Sequence, residues 1–195
     1  MGFFDRFKKN ETAPDPLEPS VKPIGPTVAE LARVISSGDE AVLRDITACT
    51  EDPAGWFASY QERYKERSVD SPDDPDLVQW LGLVDILEEH GWVCDRDWKA
   101  ELEDFLFFLQ NLKGYQAFQL TLDPDWFDED DDIPAWCGIL SEKWEGVCVA
   151  AIDIDSDSYV LFPTGFPQLA QLQRLGGGVG RRVVAGERWY REGPL

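Results

Sequence analysis

Residues 76–112 read DLVQWLGLVDILEEHGWVCDRDWKAELEDFLFFLQNL. The run predicts two apolar helices joined by a short aromatic and acidic turn. Asp76 is placed to cap the first helix by accepting hydrogen bonds from its free N–H groups. Leu77, Trp80, Leu81, Val84 and Leu87 recur at helical spacing, and Val78, Leu83 and Ile86 widen that face. A helix so nearly apolar all round needs cover on several sides. Gly91 suits the left-handed residue that ends a helix. The second helix is expected to start at Asp97 and to bury Trp98, Leu102, Phe105, Leu106, Leu109 and Leu112, with Phe107 and Phe108 broadening the stripe. Between the two lies HGWVCDRD, with His90, Trp92, Cys94, Asp95 and Asp97.

Helical signals continue on the N-terminal side. Thr27 and Glu30 have the spacing of a capping box. Asp39 and the Asp52-Pro53 pair mark two further helix starts. On the C-terminal side the period changes. Tyr115, Ala117, Phe118, Leu120 and Leu122 suggest a strand. In Gly146–Ile154, Cys148, Ala150, Ile152 and Ile154 share one face of a strand by the two-residue period. Residues 155–158 read as a hairpin turn and Tyr159–Phe162 as the return strand. Phe166–Leu175 reads as a helix, residues 176–180 as a glycine-rich loop and Arg182–Ala185 as a last strand. The expected fold class is α+β, with a helical N-terminal half packed against a small, mainly antiparallel sheet from the C-terminal half.

Residues 1–26 form a tail and linker, and 27–195 a single domain. The tail opens with MGFFDRFKK, and five prolines fall between Pro14 and Pro26. That composition favours an extended linker. Phe3, Phe4 and Phe7, with Arg6, Lys8 and Lys9, fit a partner groove or an anionic membrane surface.

The formal net charge is −20, and 12% of the 195 residues are aromatic. Such a charge excludes binding of bare nucleic acid, which draws its affinity from counterions released by basic side chains. It favours solubility, a basic protein partner or a cation. Positive charge collects near the end, where residues 164–195 carry five arginines and two glutamates. Four cysteines without close pairs read as reduced, packed thiols in a cytoplasmic protein. No apolar run is long enough to cross a membrane.

Seven acids lie between Asp123 and Asp132, flanked by Trp126, Phe127 and Trp136. Such a run suits a solvated loop, a divalent cation or a basic protein surface, and the aromatic anchors beside it favour the protein-binding face. Trp126, Asp128, Asp130 and Trp136 are its candidate residues, with Trp92 and Asp95 as a second patch. The competing reading is a hydrolase that uses carboxylates, or a metal held by Asp85, Glu89, Asp95 and Asp97. A third is a peripheral membrane adaptor acting through Phe3, Phe4 and Phe7. Asp153, Asp155 and Asp157 begin like a calcium loop, but Ser158 and Thr164 stand where the motif needs Gly and Glu. GGGVGRR breaks the dinucleotide-binding spacing at Arg181. His90, the one histidine, would have to serve any triad. No metal, cofactor or catalytic set is therefore assigned, and binding is favoured over catalysis.

The segment Trp80–Asp85 (WLGLVD), then Gly91-Trp92, Asp97-Trp98-Lys99 and the later YVLFP (Tyr159–Pro163), resembles a bacterial domain family of unknown function. The likeness spans about Asp76 to Val184 and implies no activity, cofactor or catalytic residue. By composition alone the chain is also similar to acidic bacterial immunity proteins that neutralise toxins.

Overall fold

Residues Val147–Ile152 are all apolar and all buried. A strand apolar on both sides must be covered on both sides, and that need organises the molecule. The computed structural model describes residues 24–190. Its sheet comprises β1 (Cys94–Asp97), β2 (Val147–Ile152), β3 (Ser158–Gly165) and β4 (Val183–Ala185). The order is β1-β3-β2-β4, and every pairing is antiparallel.

The helices, in chain order, are α1 (Gly25–Ile35), α2 (Glu40–Glu51), α3 (Pro53–Ser59), α4 (Gln61–Glu66), α5 (Pro75–Glu89), α6 (Leu102–Gln110), α7 (Lys113–Ala117), α8 (Ile133–Lys143) and α9 (Phe166–Gly177). Cys148, Ala150, Ile152, Val160, Phe162, Val183 and Ala185 point into one core with α1 to α5 and α9. Their neighbours Val147, Val149, Ala151, Tyr159, Leu161 and Val184 point into a second core with α6, α8 and Trp144. The two-residue side-chain period thus serves two cores at once. The class is α+β, with the sheet as the middle of three layers.

The stretch 76–112 divides differently from its sequence reading. Its two helices do not pair: α5 belongs to the first core and α6 to the second. The expected turn between them contains β1, which pairs with β3 from Cys94↔Leu161 to Asp97↔Ser158 and carries the chain between the layers. The cap of α5 is Asp74, whose carboxylate accepts from Leu77 N at 3.0 Å with Pro75 opening the helix. Asp97 closes a turn instead, accepting from Lys99 N at 2.8 Å. Helix α6 starts at Leu102, and Trp98 stands half exposed outside its stripe.

Two other expectations fail locally. Thr27 does not cap α1, which begins at Gly25 after Ile24. The strand expected after Gly114 is α7 followed by irregular chain, ended by Gln119 in the left-handed region at φ 53°. The alternation there arises because Tyr115, Leu120 and Leu122 each lean under the second core. The caps at Asp39 and Asp52, the hairpin turn and α9 fall where the sequence puts them. The phenylalanines at 3, 4 and 7 lie outside the described residues.

Helix α2 approaches α5 closely at Gly82. A Cβ there would lie 2.6 Å from Cys49 Sγ and 3.2 Å from Tyr64 Oη. Gly138 on α8 has room, its nearest neighbour being Glu187 Cβ at 3.7 Å. Gly82→Ala should therefore destabilise by about 1–3 kcal/mol through overpacking. Gly138→Ala should stabilise by up to about 1 kcal/mol through helix propensity. Urea unfolding midpoints of the two variants give the comparison.

Candidate protein-binding face

The acidic loop is built by short local bonds. Asp123 accepts from Asp125 N at 3.1 Å and starts a 3-10 turn over Pro124–Trp126. Asp128 accepts from Asp130 N at 3.0 Å, and Asp132 caps α8 by accepting from Ala135 N at 3.0 Å. The Trp136 indole donates to the Asp128 carbonyl at 2.8 Å. These bonds hold the loop against α8 while its carboxylates face water. Among the described residues, no ion pair engages an acid between Asp123 and Asp132.

The candidate tryptophans separate by burial. Trp136 is only 2% exposed and stacks tilted on Phe105 at 5.3 Å, so its ring belongs to the core. Trp126 is half-buried, with Lys143 Nζ 5.5 Å from its ring. Asp128 and Asp130 are exposed. Trp92 is buried in the first core, on the other side of the sheet. Its indole and Lys113 Nζ both donate to Asp39, at 3.0 and 2.8 Å. Those two bonds, with Lys113 the stronger, hold the Asp39 carboxyl well below the ordinary carboxylate range. Trp126, Asp128 and Asp130 thus share a surface, Trp136 supports it from beneath, and Trp92 and Asp95 lie elsewhere.

Beside the loop runs a groove of about 520 Å³ lined by Glu101, Leu102, Glu103, Leu106, Phe107, Gln110, Pro124 and Glu129. Phe107 is 60% exposed. The sequence reading assigned it to the buried stripe. A helix on an outer layer buries one side only, and α6 carries apolar residues at 102, 105, 106, 107, 108 and 109. That excess was the available signal. Phe108 lies beneath the Arg96 guanidinium at 3.6 Å, and Phe107 has no such cover. Glu101, Glu103 and Glu129 make the groove's edge acidic, continuous with the loop through Pro124 and Glu129.

Three of the four carboxylates of the hydrolase reading meet guanidinium groups, and Asp97 instead accepts from Lys99 N. Arg67 Nη2 lies 2.8 Å from Asp85 and 3.7 Å from Asp95. Glu89 pairs with Arg63 at 3.4 Å. Among the described residues, no three His, Cys, Asp or Glu side chains are grouped to hold a metal ion. His90 Nε2 is 2.7 Å from Asp45 Oδ2. All four cysteines are free and buried. Burial pushes the Cys49, Cys94 and Cys148 thiols up to about 12, which leaves them poor nucleophiles. The supposed calcium loop is a turn in which Asp153 accepts from Asp155 N at 2.9 Å and pairs with Arg182 at 3.3 Å.

Burial raises the Asp85 carboxyl above its ordinary pKa, and Arg67 is the main charge opposing that rise. Arg67→Met strands the carboxylate and should cost about 3 kcal/mol at pH 7. Because the folded pKa then stands further above the unfolded one, the deficit should shrink as the pH falls and Asp85 takes up a proton. Urea titrations of variant and wild type at pH 7.5 and 5 test both size and sign.

Among the described residues, no helix is long and apolar enough to cross a membrane. No curated protein and no solved structure matches the chain. A family model described as Domain of unknown function (DUF6630) matches residues 27–186, which takes in most of both cores and strands β1 to β4, and the chain belongs to that family.

Proposed function

We propose that this domain is a non-enzymatic protein-binding module. It captures a basic partner through the α6 groove and the acidic loop, with Phe107 and Trp126 as aromatic contacts and Asp128 and Asp130 as charged ones. The observation that carries the reading is the exposed Phe107 ring in a groove edged by Glu101, Glu103 and Glu129. An aromatic anchor supplies affinity where water is excluded, and the surrounding acids select a positive surface and speed encounter. Restraint of a toxin or another basic protein, as an immunity protein or regulatory inhibitor performs it, is the form this reading takes. Four unpaired thiols fit a cytoplasmic setting. The pairing of Asp85 and Asp95 with Arg67, and of Glu89 with Arg63, favours this reading over a carboxylate hydrolase.

Affinity capture from the source cells, read by mass spectrometry at low and moderate salt, tests the proposal. Phe107→Glu should lower recovery of a wild-type-specific partner at least ten-fold with unchanged thermal stability, because the ring packs little in the fold. Asp128→Asn with Asp130→Asn should weaken capture at low salt and flatten its salt dependence. The same proteins held equally by wild type and Phe107→Glu would refute the groove as the binding face.

A further inference from the structure

The chain itself contains a segment with the chemistry this groove selects. Residues 1–9, MGFFDRFKK, carry three phenylalanines and the cations Arg6, Lys8 and Lys9 against one acid, Asp5. The groove offers Leu102, Leu106, Phe107 and Pro124 as its apolar floor and Glu101, Glu103 and Glu129 as its rim. We infer that residues 1–9 of the same chain occupy the α6 groove, their aromatic rings against Phe107 and their cations against the glutamate rim. The inference rests on the groove being a recognition surface and adds that the chain supplies a competitor for it.

Connection and reach allow this. Residues 1–9 lie outside the described part, and fourteen residues separate them from Ile24. Ile24 packs in the first core, across the sheet from α6. Fourteen residues at about 3.1 Å each span roughly 43 Å. That length is comparable with the diameter of a domain whose radius of gyration is about 15 Å, and α6 lies against the edge strand β1, so the tether need pass round one sheet edge only. A short tether also holds its end at an effective concentration of about 1 mM. At that concentration a segment binding with a Kd of only about 100 μM in trans would fill the groove about nine-tenths of the time. A free partner must displace it, which raises the partner's apparent Kd about ten-fold.

The test uses the full chain. Zero-length carboxyl–amine crosslinking should join Lys8 or Lys9 to Glu101, Glu103 or Glu129 within monomers. Amide hydrogen exchange across residues 102–110 should speed up several-fold when residues 1–9 are removed, or when Phe3, Phe4 and Phe7 are all replaced by Ser. The peptide MGFFDRFKK should restore protection to the shortened chain and leave Phe107→Glu unprotected. Absence of these crosslinks together with unchanged exchange in the shortened chain overturns the inference. Crosslinks confined to dimers also overturn it, naming a second copy as the source of the segment. So does sedimentation with phosphatidylglycerol vesicles that needs residues 1–9 while α6 exchange ignores their removal, which makes the segment a membrane contact. The binding reading fails separately: partner capture insensitive to Phe107→Glu sinks it even if the crosslinks form, and partner capture lost in Phe107→Glu sustains it even if they do not.

Discussion

Double-sided burial of β2 and β3 is the constraint on which the rest of the molecule depends. Ala150 and Phe162 face one core while Val149, Ala151 and Leu161 face the other. Neither side of the hairpin can meet water without exposing a row of apolar side chains, so each requires its own helical layer. The first layer is supplied by α1 to α5 and α9, the second by α6 and α8. The chain must therefore change sides, and it does so at β1 and again through β2. A short polar strand at the sheet edge is a compact way to make that crossing, because its backbone groups are satisfied by β3 as it goes.

This constraint also explains what the sequence reveals and what it hides. The hairpin was legible because Gly146–Ile154 and Tyr159–Phe162 flank a turn-forming DSDS. The caps at Asp39 and Asp52 were legible because they act within three residues. The partnership of α5 and α6 was misread because adjacency along the chain suggests adjacency in space, whereas α5 is packed by α1, α2 and α3, and α6 by β1 and β3. The strand expected from Tyr115 failed because alternating apolar residues in irregular chain imitate a strand when a core lies on one side. The acidic loop was visible in the sequence. The groove beside it was not, since which of six apolar residues on α6 faces water depends on where the sheet lies.

Charge is handled in two ways. Acids next to the core are paired: Asp85 and Asp95 with Arg67, Asp153 with Arg182, and Asp39 with Lys113. In the loop at 123–132, Asp123, Asp128 and Asp132 accept from neighbouring backbone N–H groups, and all seven acids are exposed to solvent. The basic C-terminal region partly compensates the body, with Arg182 bonded to Asp153 and held over Trp189 at 5.1 Å. The seven acids of the loop lie beside the groove and its exposed ring. The proposed recognition of a basic surface rests on the acidic loop, groove and exposed ring lying together, and not on net charge alone.

The short outer strands bear on how the molecule behaves when crowded. β4 has three residues, and β1 has four, the last three being Asp95, Arg96 and Asp97. Beyond the end of β1, β3 continues through Pro163, which has no N–H to offer a neighbouring strand. Brevity, alternating charge and a missing donor each discourage a foreign strand from adding to the sheet. A protein whose apolar hairpin would otherwise invite fibrous stacking is thereby kept from polymerising through its own edges.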